Sequence, residues 1–430
     1  MADPYVRHLA LILGSPLSGL RGLLRRRHAG AVLAAALFIF AVDRACGLFI
    51  SGDDGFQSLV LPPVETVRYE FRDFQFTVST NRLGFRGPEF PIRPTPGVKR
   101  ILVFGNSFTY GWGVDFEDTW PRLLERELNG AGLHVEIANV ARAGTTALEM
   151  KDIAARSIPL LKPDLVIISA LQGGALTTLQ AGVEPDPIRE RPKNVRGILL
   201  NALSYAVPNY VQLLQVVRQR AAGERFKSPS VIQREQKKVA DNVIAQFSAE
   251  ERRRFDALDP ASTERFTTGT LNLGIVTMAL GNPDFWVDTV KSPKMIEDGL
   301  SGMHLAFSSV KAIAEKNGAS VIVASMPYGA YLGGTAAQNL RRLGFNIPDF
   351  LNGDQTTEDQ IRRAAADSGV TFVTILGAFQ ADHGDNLFIP FDGHYSAAGT
   401  RLYAKLLSKE LLRLPPLLAH ETTGKAPAQN

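Results

Sequence analysis

The chain has 430 residues, 45% of them hydrophobic and 21% charged, which is enough apolar material for a sizeable core and excludes a disordered, collagenous or low-complexity protein. Residues 1–28 hold five arginines against Asp3 alone, so the whole surplus of 47 basic over 43 acidic side chains lies in that leader. The rest of the chain is charge-balanced and lacks the concentrated Lys and Arg that phosphate binding needs, so nucleic acid is excluded as a partner.

Arg25 to Arg27 precede an unbroken apolar run, 29–42, which Asp43 and Arg44 interrupt and 45–50 resumes. As one helix, 29–50 reaches roughly 33 Å, about the thickness of a bilayer's hydrocarbon core. Basic residues ahead of such a run set a cytoplasmic N-terminus. Asp43, Arg44 and Ala45 before Cys46 resemble neither a small-residue cleavage site nor a lipoprotein box. The expectation is therefore a basic cytoplasmic leader over 1–28 and an uncleaved transmembrane signal anchor over 29–50. The protein would then be a single-pass protein of a bacterial inner membrane with its main domain in the periplasm. A buried core helix and a signal-peptide segment are the alternatives. Residues 5–23 read either as an interfacial amphipathic helix or as a broken cytoplasmic tail. Cys46, the only cysteine, excludes an intrachain disulfide framework and a four-cysteine zinc site and reads as a membrane-proximal thiol.

Residues 51–97 form a lead-in and linker: 67–81 (VRYEFRDFQFTVSTN) alternate apolar and polar side chains as a strand does, then give way to turn-rich sequence. From 100 a regular alternation begins. Strands are predicted over 100–104, 134–140, 164–169, 319–325 and 370–375, with helices over 119–129, 147–161, 303–317, 357–368 and 397–412. Strands alternating with helices imply a parallel sheet covered on both faces, so 98–415 is predicted as a three-layer α/β/α domain on a five-stranded parallel sheet. The polar, mostly helical stretch 180–300 is too long for an ordinary connection. It reads as a helical insertion: a cap over the site, a platform docking an envelope protein complex, or a passive insertion. The tail 416–430 is predicted disordered.

Ligands of open parallel sheets bind beyond the carboxyl ends of the strands. The first strand ends in Gly105, Asn106 and Ser107, which exposes a hydroxyl at that edge beside backbone N–H groups able to face an oxyanion. The pattern is not a GxSxG elbow, since Thr109 replaces the second glycine, and a serine that merely caps a helix is the alternative. The loop after the last strand carries Asp392 and His394, and a carboxylate two residues before a histidine can fix its tautomer. The order Ser, Asp, His at one sheet edge points to nucleophilic catalysis. Asp382, His383, Asp385, Asp392 and His394 also invite a metal reading, but HExxH or comparable ligand spacing is absent and none is assigned. No phosphate loop or GxGxxG follows a strand, so no cofactor is implied.

These blocks resemble the SGNH, or GDSL-like, hydrolase superfamily. GNSFTYGWGVDFEDTWPRLLERELN is similar to its nucleophile block, NVARAGTT (139–146) to its second block, and FDGHYSAAGTRLYAKLL to its terminal Asp and His block. The likeness covers roughly 98–176 and 303–412 and implies a flavodoxin-like fold with Ser107, His394 and Asp392 as a catalytic triad. It further implies an oxyanion hole built from Ser107 and Gly144. Two departures stand out. Asn106 replaces the aspartate usual before the serine, and the third strand runs into SALQGGALTT without the usual asparagine. Gln172 is the expected substitute, or Gly173 and Gly174 leave the position empty; losing one oxyanion donor costs about 10²- to 10³-fold in rate.

The resemblance implies a serine-dependent esterase or O-acyltransferase, anchored to the membrane and acting on acyl esters, acetyl in particular, of carbohydrate or envelope polysaccharide. Hydrolysis and transfer share the acyl-enzyme and differ only in the acceptor. The second reading is a non-catalytic SGNH-like accessory subunit docking a membrane or envelope complex, favoured by the incomplete third block and opposed by the intact Ser107, Asp392 and His394.

Overall fold

The computed structural model describes residues 26–48, 65–174, 225–382 and 386–414, together with 207, 209, 210, 213, 214 and 217. They fall into two compact units, one comprising 1–57 and 191–222, the other 58–190 and 223–430. The predicted tail and the amphipathic segment 5–23 lie outside the described residues.

In the first unit the apolar run forms a 23-residue helix, Arg26–Leu48. Leu37, Phe38, Ile39 and Phe40 are exposed on it. Asp43 is buried, and its carboxylate accepts from Asn209 Nδ2 at 2.8 Å and the Tyr210 backbone N–H at 3.0 Å. Among the described residues no helix is long and apolar enough to cross a membrane.

The second unit opens on a hairpin, β1 (Glu65–Glu70) and β2 (Gln75–Ser79), paired antiparallel. The large sheet is built from β3 (Lys99–Phe104), β4 (Val135–Asn139) and β5 (Leu165–Leu171), then β7 (Ser320–Met326) and β8 (Thr371–Val373). Between them β6 (Arg225–Lys227) adds a third, parallel strand to the hairpin sheet against β1. Its three residues are too few to show a periodicity, so the mostly helical reading of 180–300 does not include it.

The five-stranded sheet runs β4-β3-β5-β7-β8 with every neighbour parallel. This is the flavodoxin-like order, and its switch point lies between β3 and β5, where ligands of such sheets bind. All seven residues of β5 are buried, as expected of a strand covered on both faces. Flanking helices start where their caps dictate. Thr146 and Glu149 form a reciprocal capping box for 147–161, and the Ser396 hydroxyl accepts from the N–H groups of Ala398 and Gly399 to start 397–413. The helix expected from 303 begins ten residues earlier, at Pro293, because Ser292 caps it. Its first turns carry too few apolar residues for a periodicity to show.

Arg100 is fully buried, yet pairs with Glu136 and donates to the carbonyls of Ile92, Arg93 and Leu161. It thereby fastens the 92–93 linker to the amino end of the sheet, opposite the site. Between β6 and β7 the described insertion is helical: 229–245, 249–256, 260–268, 273–281, 285–291 and the long 293–316.

Candidate active site

Gly105 leaves β3 where no side chain fits: a Cβ there would stand 2.2 Å from Thr109 Oγ1 and 2.3 Å from Ser169 Oγ. Asn106 then caps the short helix Ser107–Tyr110, its side-chain oxygen accepting from the Phe108 N–H at 3.1 Å. An amide performs this capping as well as a carboxylate, so the Asn-for-Asp departure keeps the turn and loses only charge. Ser107 is the first residue of that helix rather than its cap, and its N–H therefore has no intrahelical acceptor. Asn139, at the end of β4, ties the helix down by donating to the Thr109 carbonyl at 2.7 Å.

The opposite arm is the loop after β8. Gly393 sits at φ +85°, and a Cβ on it would meet Tyr328 Oη at 3.1 Å. Asp392 is fully buried. His394 Nδ1 lies 2.5 Å from Asp392 Oδ1, and His394 Nε2 lies 2.7 Å from Ser107 Oγ. The structure thus brings Ser107, His394 and Asp392 into one hydrogen-bonded chain between the turn after β3 and the loop ahead of the helix 397–413. Phe108 packs on the imidazole with ring centroids 4.6 Å apart. Gly144 lines the same cavity as Ser107 and His394.

Gln172 is not there. Its side chain is fully buried behind the strand ends, where Nε2 donates to Glu358 Oε2 at 3.3 Å and Oε1 accepts from the Tyr328 N–H at 3.1 Å. The oxyanion assignment for Gln172 is therefore corrected. The second oxygen of a buried carboxyl, Glu358 Oε2, and a buried backbone N–H hold this amide, and the extra methylene lets it reach them rather than the cavity. Ser325 and Thr374 also donate to Glu358, whose carboxyl burial pushes above its usual range. No side chain takes the place of the missing asparagine by the route expected.

Several site residues escape sequence reading. Trp112 Nε1 donates to Asp392 Oδ2 at 3.0 Å, so the carboxylate is held on both oxygens. The indole is in turn packed against Tyr69 and Phe76 of the hairpin, with centroids 5.3 and 5.2 Å apart. Phe391, directly before Asp392, adopts φ +58°, a conformation rare for a bulky residue. Its ring is clasped by the guanidinium groups of Arg265, at 4.0 Å, and Arg342, at 4.3 Å. Arg265 also forms a two-pronged ion pair with Asp73 of the hairpin turn, at 2.8 and 3.0 Å. Tyr328 keeps its proton, because burial and then the Asp392 charge push its hydroxyl well above the usual range. No local signal marks the Trp112 role, because pairing it with a loop 280 residues away requires the fold.

Among the described residues no group of three or more His, Cys, Asp or Glu is arranged to hold a metal ion. His383 and Asp385, which the metal reading would need, lie outside the described residues.

No family model matches the sequence, and no curated protein matches it. Solved structures do. A family 3 carbohydrate esterase from Clostridium thermocellum is 13% identical, over 73% of this chain and 96% of that one, with a TM-score of 0.32. A lipase/acylhydrolase from Enterococcus faecalis is 13% identical, over 73% and 95%, with a TM-score of 0.32. A catalytic mutant of an acetylxylan esterase from Geobacillus stearothermophilus is 12% identical, over 73% and 94%, with a TM-score of 0.33.

Proposed function

We propose that the chain is a serine-dependent ester hydrolase or acyltransferase of the SGNH type. One observation carries the reading: the unbroken chain from Ser107 Oγ through the His394 ring to the buried Asp392. His394 Nε2 takes the hydroxyl proton as Oγ bonds to the ester carbonyl carbon, and Asp392 holds the tautomer that leaves Nε2 free to accept. The carbonyl electron pair moves onto oxygen, where the Ser107 and Gly144 N–H groups are the candidate donors. Collapse expels the alcohol, which takes the proton from His394 and leaves an acyl-enzyme. Water or a second hydroxyl then accepts the acyl group by the same steps in reverse. The mechanism is common to hydrolysis and to transfer onto a carbohydrate hydroxyl, the acceptor class the resemblance implies.

Purified protein should be labelled stoichiometrically by a fluorophosphonate, and Ser107→Ala should abolish labelling. Wild-type protein that stays unlabelled while folded would sink the catalytic reading. The withdrawal of Gln172 from the cavity favours the second reading, an accessory subunit, and that result would select it.

The chain is further proposed to sit in a bacterial inner membrane through the apolar segment 29–50, with the catalytic unit in the periplasm. Arg25 to Arg27 ahead of that segment and the exposed Leu37, Phe38, Ile39 and Phe40 within it support this. A reporter active only in the periplasm, fused after Gln57, should be active; activity of a cytoplasm-only reporter there would reverse the topology.

A further inference from the structure

The cavity around Ser107 has a volume of about 250 Å³. At roughly 30 Å³ for each water-sized group, it holds about eight non-hydrogen atoms. An acetyl group supplies three, so acetate leaves more than half of it unfilled. Phe108, Leu171 and Tyr328 line it from the sheet domain, and Ile275, Met278 and Trp286 line it from the insertion. Among the described residues of its lining the one carboxylate is Asp392 and none is a lysine or arginine, so an anionic acyl group would meet Asp392 there and no Lys or Arg partner.

The insertion residues are placed by ordinary helix physics. Asn272 caps the helix Leu273–Gly281, accepting from the Gly274 N–H at 3.1 Å. That helix buries Leu273, Val276, Ala279 and Leu280 in the core. Ile275 and Met278, three residues apart and so on one side of it, are left half-buried against the cavity. Trp286 is fixed by the Tyr328 ring, 4.3 Å away between centroids. The two insertion segments thus complete a wall that the five strands do not supply.

We propose that the insertion builds an acyl pocket, and that this pocket selects a neutral, unbranched acyl chain of about four to seven carbons over acetyl. The proposal rests on Ser107 being the nucleophile and names the substrate class of that site. Each methylene moved from water onto these walls is worth about a fourfold preference. Met278, with its flexible thioether, adapts to the chain end.

The test uses the full chain in detergent and 4-nitrophenyl esters from acetate to dodecanoate, which hold the alcohol constant. The expected kcat/KM for hexanoate exceeds that for acetate at least tenfold and falls again by dodecanoate. Met278→Trp, which fills the pocket, should lower the hexanoate-to-acetate ratio at least tenfold, and Met278→Ala should move the optimum to longer chains. Thermal melting checks each variant; if the tryptophan variant does not fold, the alanine variant carries the test. Fluorophosphonate labelling with a flat or acetate-favouring profile overturns the pocket alone. A ratio unmoved by either substitution does the same, as does a preference that follows the alcohol in a series of alkyl acetates. Absence of both labelling and turnover overturns the hydrolase reading and the pocket with it.

Discussion

Asp392→Asn is expected to lower kcat by about 10⁴-fold while the protein stays folded. The size of the effect follows from the number of donors that converge on this carboxylate. Asp392 Oδ1 faces His394 Nδ1 at 2.5 Å and the His394 backbone N–H at 3.1 Å, while Oδ2 faces the Trp112 indole N–H at 3.0 Å. An amide has one acceptor atom. With its oxygen toward Trp112, its NH₂ faces the imidazole and demands an unprotonated Nδ1; Nε2 then carries the hydrogen and can no longer take one from Ser107. With the oxygen toward the imidazole, the NH₂ is driven against the indole N–H. Either orientation removes a bond that the aspartate makes. Turnover of a 4-nitrophenyl ester, with circular dichroism to verify the fold, measures the loss. A loss of less than tenfold would show that His394 does not need this partner.

The second large effect is at Trp112, which touches no substrate atom in the mechanism and acts through Asp392 as a positioning residue. Trp112→Phe keeps a ring against Tyr69 and Phe76 and deletes only the N–H. A hydrogen bond to a charged group contributes about 1.5–3 kcal/mol, so kcat should fall roughly ten- to a hundredfold. KM and the melting temperature should change little, because the substituted ring still fills its place in the aromatic cluster. A variant that loses stability in proportion to its activity, or raises KM alone, would mean that the indole serves packing rather than the orientation of the carboxylate.

The sheet was legible in the sequence because its strands are buried on both faces and read as continuous apolar runs, β5 above all. Ser107, Asp392 and His394 were legible because the carboxyl edge of a parallel sheet limits where chemistry can sit. Gln172 was misplaced because spacing from a strand gives a position and not a direction. Whether a side chain turns toward the cavity or the core depends on the polar groups behind it, and there Glu358 Oε2 and the Tyr328 N–H take up the amide. Trp112, Phe391 and the wall formed by Ile275 and Met278 depend on contacts between segments far apart in the chain. No local pattern carries that information.

The clasp on Phe391 ties the candidate site to parts of the fold outside the large sheet. Ser107 is positioned by the central sheet, through β3 and the capped turn that follows it. Asp392 is positioned by Trp112, which follows Ser107 in the same connection and packs against the hairpin, and from the insertion by Arg265 through the Phe391 ring. The same guanidinium grips both the Phe391 ring and the hairpin's Asp73. The proposed nucleophile and the carboxylate that orients its base thus share one anchor, the connection after β3 that carries both Ser107 and Trp112, and the carboxylate has a second in the insertion. Asp73, in an outlying turn, has leverage on the chemistry through two intermediaries, so the β/α framework by itself is an incomplete unit of function.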